Sequence, residues 1–338
     1  MEKYIGKCLD SLLIPEFDRV EVIVVNDGSK DRSSEIAHSY ADRYPGSIRV
    51  IDKANGNYGS CINTALPLCT GRYVKVLDAD DTFNLEAFSR FVKLLANIED
   101  EVVVTAFTTV DENGDAIQLI TSDKTRINSY ESYLIGELDY ETLSNISVMH
   151  KLTYKTCIFK RFEYHQSEGI SYTDSQWDKI PLSFARNIIV TDISLYRYLL
   201  GREGQTMAPA QRFASIGQLM KVAVDTIKMY CDKYYKAPHH EFLYKRIIKL
   251  AGQPFYNTIL AGGRRNMDRL REYDEYLKYN HLRIYTALSE YPYEAGLSFH
   301  FINDLRKKNY PANYKLPLTV RIYYALKNRI KGFFPSIS

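Results

Sequence analysis

Three aspartates stand within four residues at Asp78-Ala79-Asp80-Asp81, directly after the apolar run from Tyr73 to Leu77. A fourth, Asp27, follows the β-branched run from Val20 to Val25. Carboxylates this close raise one another's pKa unless a cation or solvent relieves them. A hard divalent ion, Mn2+ or Mg2+, supplies that relief when one or two carboxylates hold it and substrate phosphates complete its shell. The Asp-x-Asp spacing lets one carboxylate reach the metal while the other meets a ribose hydroxyl. The bland alternative is a polar turn that caps the helix expected at 85–95.

Such chemistry needs elements that bring the acids together. Val20 to Val25 and Tyr73 to Leu77 read as strands, the first with the pattern of a strand buried on both faces. Further strands are expected at 48–51 and 101–107. Between them fall helices around 3–13, 33–40, 61–68 and 85–95, with Asp31 and Ser33 as candidate caps. Asn55-Gly56-Asn57-Tyr58-Gly59 is a glycine-bearing loop between a strand and a helix. Strand and helix in alternation predict an α/β fold, a mostly parallel sheet flanked by helices. In such a sheet ligands gather at the carboxyl ends of the strands, where Asp27 and Asp78 to Asp81 lie.

From about residue 210 the pattern turns helical, with a boundary near 204–209 that divides the chain into 1–205 and 206–338. After Asp304 no acidic residue remains, and over 315–334 basic residues interleave with Val320, Ile322, Tyr323, Leu326, Ile330, Phe333 and Phe334. This stretch reads either as a basic amphipathic element at a membrane surface or as a packed terminal helix with a solvated face. Lys and Arg number 44 against 41 acidic residues, so charge alone excludes a general nucleic-acid binder. Five scattered cysteines and no apolar run long enough to span a bilayer predict a cytoplasmic protein, with peripheral attachment to the inner face of the membrane through the tail. The seven histidines show no metal-ligand pattern.

Three motifs in order carry a resemblance. They are Val24-Val25-Asn26-Asp27-Gly28-Ser29 with Asp31 and Ser33; Lys53 with Asn55, Gly56, Gly59 and Asn63; and Asp78-Ala79-Asp80-Asp81. Together, over roughly the first 200 residues, the chain resembles family 2 of the inverting glycosyltransferases, whose fold is the Rossmann-like GT-A fold of nucleotide-diphospho-sugar transferases. The resemblance implies that Asp27 bonds the nucleobase, usually uracil, and that Lys53, Asn55 and Gly56 line the nucleotide. It implies ribose contact for Asp78 and metal contact for Asp80. Asp174, in Ser171-Tyr172-Thr173-Asp174-Ser175-Gln176-Trp177, matches the family's catalytic base. Arg202 and Gln205 are candidates for contact with the diphosphate or the acceptor. Trp177 either stacks on an acceptor sugar or anchors the next helix.

The implied reaction moves a sugar from a nucleotide donor, usually a UDP-sugar, to a glycan or lipid-linked acceptor in cell-surface polysaccharide or glycolipid assembly. One departure stands out: members of the family begin with an apolar strand ahead of the helix at 3–13, and here it is absent. The expectation is that Met1 is internal and that the natural chain starts upstream. A non-catalytic sugar-nucleotide or glycan-binding module and a sugar nucleotidyltransferase are the competing readings.

Overall fold

The computed structural model describes residues 1–122, 127–202, 214–290, 300–318 and 322. The first stretch alternates as expected: α1 (Ile5–Asp10), β1 (Val22–Asp27), α2 (Ser33–Arg43), β2 (Ile48–Lys53), α3 (Asn57–Ala65), β3 (Tyr73–Val74), β4 (Thr82–Phe83), α4 (Leu85–Asn97) and β5 (Val102–Val110). There follow β6 (Ala116–Ile120), β7 (Ser132–Leu134), α5 (Tyr140–Ile146), β8 (Leu152–Lys155), α6 (Asp174–Trp177), α7 (Ile180–Phe184) and β9 (Asn187–Leu199).

Seven strands form a mixed sheet in the order β3-β8-β5-β9-β4, with β6 beside β5 and β7 beside β9. Of these pairs, β5–β9 is parallel and the rest antiparallel, and β1 and β2 form a separate parallel pair. The β3–β8, β4–β9, β5–β8 and β7–β9 antiparallel pairs join strands far apart in the chain, whereas the β5–β6 pair is a hairpin. There Asp111 Oδ1 accepts from the Asn113 and Asp115 amides and Gly114 takes φ +88°.

Side chains alternate across β5 and β9 and build a core on each face. Val102, Val104, Ile188 and Val190 join Leu152, Tyr154 and Trp177 in one cluster. Val103, Phe107, Ile189 and Ile193 join Ile5, Leu9, Phe88 and Phe91 in the other. Burial on both faces therefore belongs to β5 and β9. The expectation that β1 is such a strand is not met: all six of its residues are half-buried, since β2 is its one paired neighbour among the described residues. The run Tyr73 to Leu77 also pairs only at its start, where β3 meets β8.

The remaining helices are α8 (Ile216–Asp232), α9 (His240–Ala261), α10 (Arg264–Asn280), α11 (Leu282–Glu290) and α12 (Phe301–Lys307). The chain divides into two compact units, 1–205 with 225–244, and 206–224 with 245–338. Within the second, Arg306 forms a two-pronged ion pair with the buried Asp274 at 2.6 and 2.8 Å. Among the described residues no helix is long and apolar enough to cross a membrane. Most of the basic stretch 315–334 lies outside the described residues.

Candidate active site

Asp27 ends β1 and is fastened to the glycine loop across the β1–β2 pair. Its carboxylate accepts from Lys53 Nζ at 2.7 Å and from the Gly56 amide at 2.9 Å, while its carbonyl accepts from Asn55 Nδ2 at 3.0 Å. Burial works to raise the Asp27 pKa, but the bonds from Lys53 and Gly56 outweigh it and hold the carboxyl below the usual range. Gly28 makes this approach possible: it takes φ +70°, and a Cβ there would meet the Asn55 amide at 3.0 Å. The sequence-predicted group of Asp27, Lys53, Asn55 and Gly56 is thus one hydrogen-bonded unit.

The Asp78 to Asp81 loop is held from β9. Tyr196 accepts from the Asp78 amide at 3.2 Å and donates to Asp81 Oδ2 at 2.7 Å, and the Leu199 amide donates to Asp81 Oδ1 at 2.7 Å. Both Asp81 oxygens are therefore engaged. Burial pushes its carboxyl up to about 7 against those two bonds. Asp78 is different, because its carboxylate takes no hydrogen bond among the described residues. Desolvation and the charges of Asp81, Asp80 and Asp174 drive its pKa well above the usual range, with Arg202 alone opposing. Asp80 is ion-paired with Arg202 Nε, the two side chains 13% and 19% exposed.

His150 was not foreseen. Asp78, Asp81 and His150 each place a ligand atom within 4.8 Å of the other two. The ring is packed against Phe107, Tyr196 and Tyr198, and its buried Nδ1 has no hydrogen-bond partner among the described residues. Burial first, then the Lys75 charge, pushes it down to about 3, so it stands neutral. Lys75 in turn donates to the His150 and Leu152 carbonyls at 2.9 and 3.2 Å, which ties the approach to Asp78 onto the start of β8. No spacing could have announced this histidine, since 69 residues or more separate it from the acids.

Asp174 opens α6. It keeps a solvent-exposed side chain although protein surrounds it densely, and that enclosure raises its carboxyl above the usual range while Lys179 opposes. The Asp174 charge reaches both Asp78 and the enclosed Tyr58 of α3, so these groups share one electrostatic neighbourhood.

A buried amide network sets the position of α6. Asn63 of α3 donates to the Gln166 carbonyl and to Glu168 at 2.8 Å each and accepts from the Gln166 amide at 2.9 Å. Gln166 Nε2 donates to the Thr173 carbonyl at 2.7 Å, and Gln176 bridges the Ser167 amide and hydroxyl at 2.8 and 2.9 Å. The Gly169 amide closes onto the Gly56 carbonyl at 2.8 Å. The loop before Asp174 is therefore stitched to the same glycine segment that holds Asp27. Asn63 belonged to the motifs already noted; Gln166 and Gln176 left no sequence signal beyond polar residues in an apolar setting.

Gly59 marks the tightest point of this junction. A Cβ there would meet the Ser167 carbonyl at 1.9 Å, so Gly59→Ala must displace that loop. Overpacking of this kind costs about 1–3 kcal/mol, and the expected outcome is a melting temperature lower by several degrees together with a slower reaction. A melt within about 1 °C of the parent would show that the two segments are not in contact.

Two candidates remain. Trp177 is 1% exposed, stacked on Phe159 and edge-on to Tyr154 and Tyr164, so it anchors the core and cannot stack on an acceptor sugar. Gln205 lies outside the described residues.

A family model, Glycosyl transferase family 2, matches residues 1–155. An uncharacterized glycosyltransferase of Mycoplasma pneumoniae, the MG025 homolog, is 39% identical over 109 residues, 31% of this chain and 35% of that protein. EpsJ of Bacillus subtilis, also an uncharacterized glycosyltransferase, is 38% identical over 107 residues, 32% of this chain and 31% of its own length. The matched stretch thus spans about a third of these curated relatives. In structure, the 1–349 segment of S. aureus TarS in complex with UDP-GlcNAc superposes with a TM-score of 0.51 at 16% identity, over 94% of this chain and 91% of that one. That likeness is one of fold.

Proposed function

Residues 1–155 belong to glycosyl transferase family 2, and on that premise we propose that the chain moves a sugar from a nucleoside diphosphate to an acceptor hydroxyl with inversion. The observation that carries the reading is the placement of Asp174, a solvent-exposed carboxylate at the start of α6 whose charge acts on Asp78.

Asp27 and Lys53 hold the nucleobase end of the donor, beside Asn55 and Gly56, and Asp78 meets the ribose. The cluster suits a divalent cation: Asp78 and Asp81 offer oxygen ligands beside a neutral histidine, and a cation would relieve the crowding of like charges that raises the Asp78 pKa. Asp80 holds that ion, Mn2+ or Mg2+, in this reading. Once bound, such an ion neutralises charge on the departing diphosphate. Asp174 accepts the proton of the acceptor hydroxyl as that oxygen bonds to the anomeric carbon. The bond from that carbon to the diphosphate breaks, and the nucleoside diphosphate leaves with the electron pair. One displacement from the opposite face inverts the centre without a covalent enzyme intermediate.

A UDP-sugar is the first donor to try, since the TarS segment that shares the fold is known with UDP-GlcNAc and with UDP. A glycan or lipid-linked acceptor, cytoplasmic placement and contact with a membrane surface through 315–334 complete the proposal. The test is release of nucleoside diphosphate from a panel of nucleotide sugars with Mn2+ or Mg2+, water standing in for the acceptor. Slow, metal-dependent release from one donor is expected. Tight donor binding by calorimetry with no release and no transfer would make the protein a binding module.

A further inference from the structure

Arg202 lies where its positive charge serves three carboxylates. It is ion-paired with Asp80, and its field also favours the charged forms of Asp78 and Asp81. Both members of the pair are largely shielded from water, which strengthens their attraction and makes removal of the guanidinium without replacement costly. A divalent cation and a guanidinium compete for the same carboxylate oxygens, and Asp80 cannot serve both fully. A diphosphate resolves the competition, because its oxygens match the guanidinium fork as well as a carboxylate does.

We propose that Arg202 is an exchangeable counter-ion, which occupies Asp80 until the donor's diphosphate draws it off and so couples metal binding to donor binding. This rests on the reading of Asp80 as the metal-holding residue. The exchange needs only a shift of the guanidinium from one anion to the next. It keeps a positive charge against Asp80 at each stage: Arg202 before the donor arrives, the metal afterwards. Coupling of this sort is reciprocal: a diphosphate that draws Arg202 off Asp80 strengthens metal binding by the same factor by which the metal strengthens diphosphate binding.

The test uses the full chain. Mn2+ affinity is measured without nucleotide from the free-ion electron paramagnetic resonance signal, and inorganic pyrophosphate affinity is measured by calorimetry in EDTA. For Arg202→Gln the two constants move in opposite directions: Mn2+ binds at least about fivefold tighter, and metal-free pyrophosphate at least about fivefold weaker. Arg202→Lys, which keeps the charge but loses the fork, falls between. Equal or weaker Mn2+ binding by Arg202→Gln overturns the proposal, as does unchanged pyrophosphate binding. Asp80→Asn distinguishes the underlying reading: it loses Mn2+ if Asp80 holds the metal. If it binds Mn2+ like the parent, the metal assignment fails, whatever Arg202 does.

Discussion

Asp80→Ala lowers metal-dependent nucleoside diphosphate release by about 10²- to 10³-fold. Charge stabilisation by a bound cation is worth several kcal/mol in the transition state, and about 3–4 kcal/mol corresponds to that loss at 1.36 kcal/mol per factor of ten. The change takes the Asp80 carboxylate away from Arg202 but does not unpin the loop. Asp80 has Arg202 as its ion-pair partner, whereas Asp81 carries the bonds to Tyr196 and Leu199 that pin the loop. Removing one of several like charges also relieves Asp78. Asp78 and Asp81 still face the Arg202 charge, so the melting temperature of Asp80→Ala is expected to fall, but by less than that of Asp81→Ala. Asp81→Ala strips Tyr196 and Leu199 of a buried acceptor, at about 1–3 kcal/mol for each group left unsatisfied. Release by Asp80→Ala within threefold of the parent, at saturating metal and donor, removes Asp80 from the mechanism.

Asp174→Asn reduces transfer by about 10²- to 10⁴-fold, the usual worth of a general base, while donor affinity by calorimetry stays unchanged. The amide keeps the shape of the side chain and the amide network beneath it but cannot take up the proton. The pH dependence follows from the same residue. Enclosure raises the Asp174 carboxyl above its ordinary value, Lys179 opposing. Below its pKa the group is protonated and useless as a base; above it, ionised and competent. The parent's rate therefore rises with pH through an apparent pKa above the roughly 3.9 of a free aspartate, and Asp174→Asn lacks that limb. Undiminished transfer by Asp174→Asn, or a variant that keeps the same rising limb, assigns the base elsewhere.

Much of the first unit was legible because its signals are local. The β-branched runs and helical spacings anticipate β1, β2, β5 and α2 to α4 in order, and Asn84 Oδ1 caps α4 by accepting from the Ala87 amide at 2.9 Å. The unit of Asp27, Lys53, Asn55 and Gly56 was marked through the family resemblance, and its members meet because β1 and β2 end side by side. Sheet order was less accessible. Alternation points to parallel strands, but a hairpin such as β5–β6 changes pairing with a five-residue turn that leaves the alternation before it intact.

By itself, the sequence settled which acids stand together, because neighbouring residues on a short loop must share a place. Which carboxylate is spent on the fold and which remains available was decided only in three dimensions. Asp81 answers to Tyr196 and Leu199, 115 and 118 residues on, and Asp80 to Arg202, 122 residues on. His150 came to the cluster, and Trp177 went to the core, by the packing of β8, β9 and α6 rather than by any local pattern. Backbone preference acts over a few residues. The pairing of charges and the burial of rings depend on every element that closes around them.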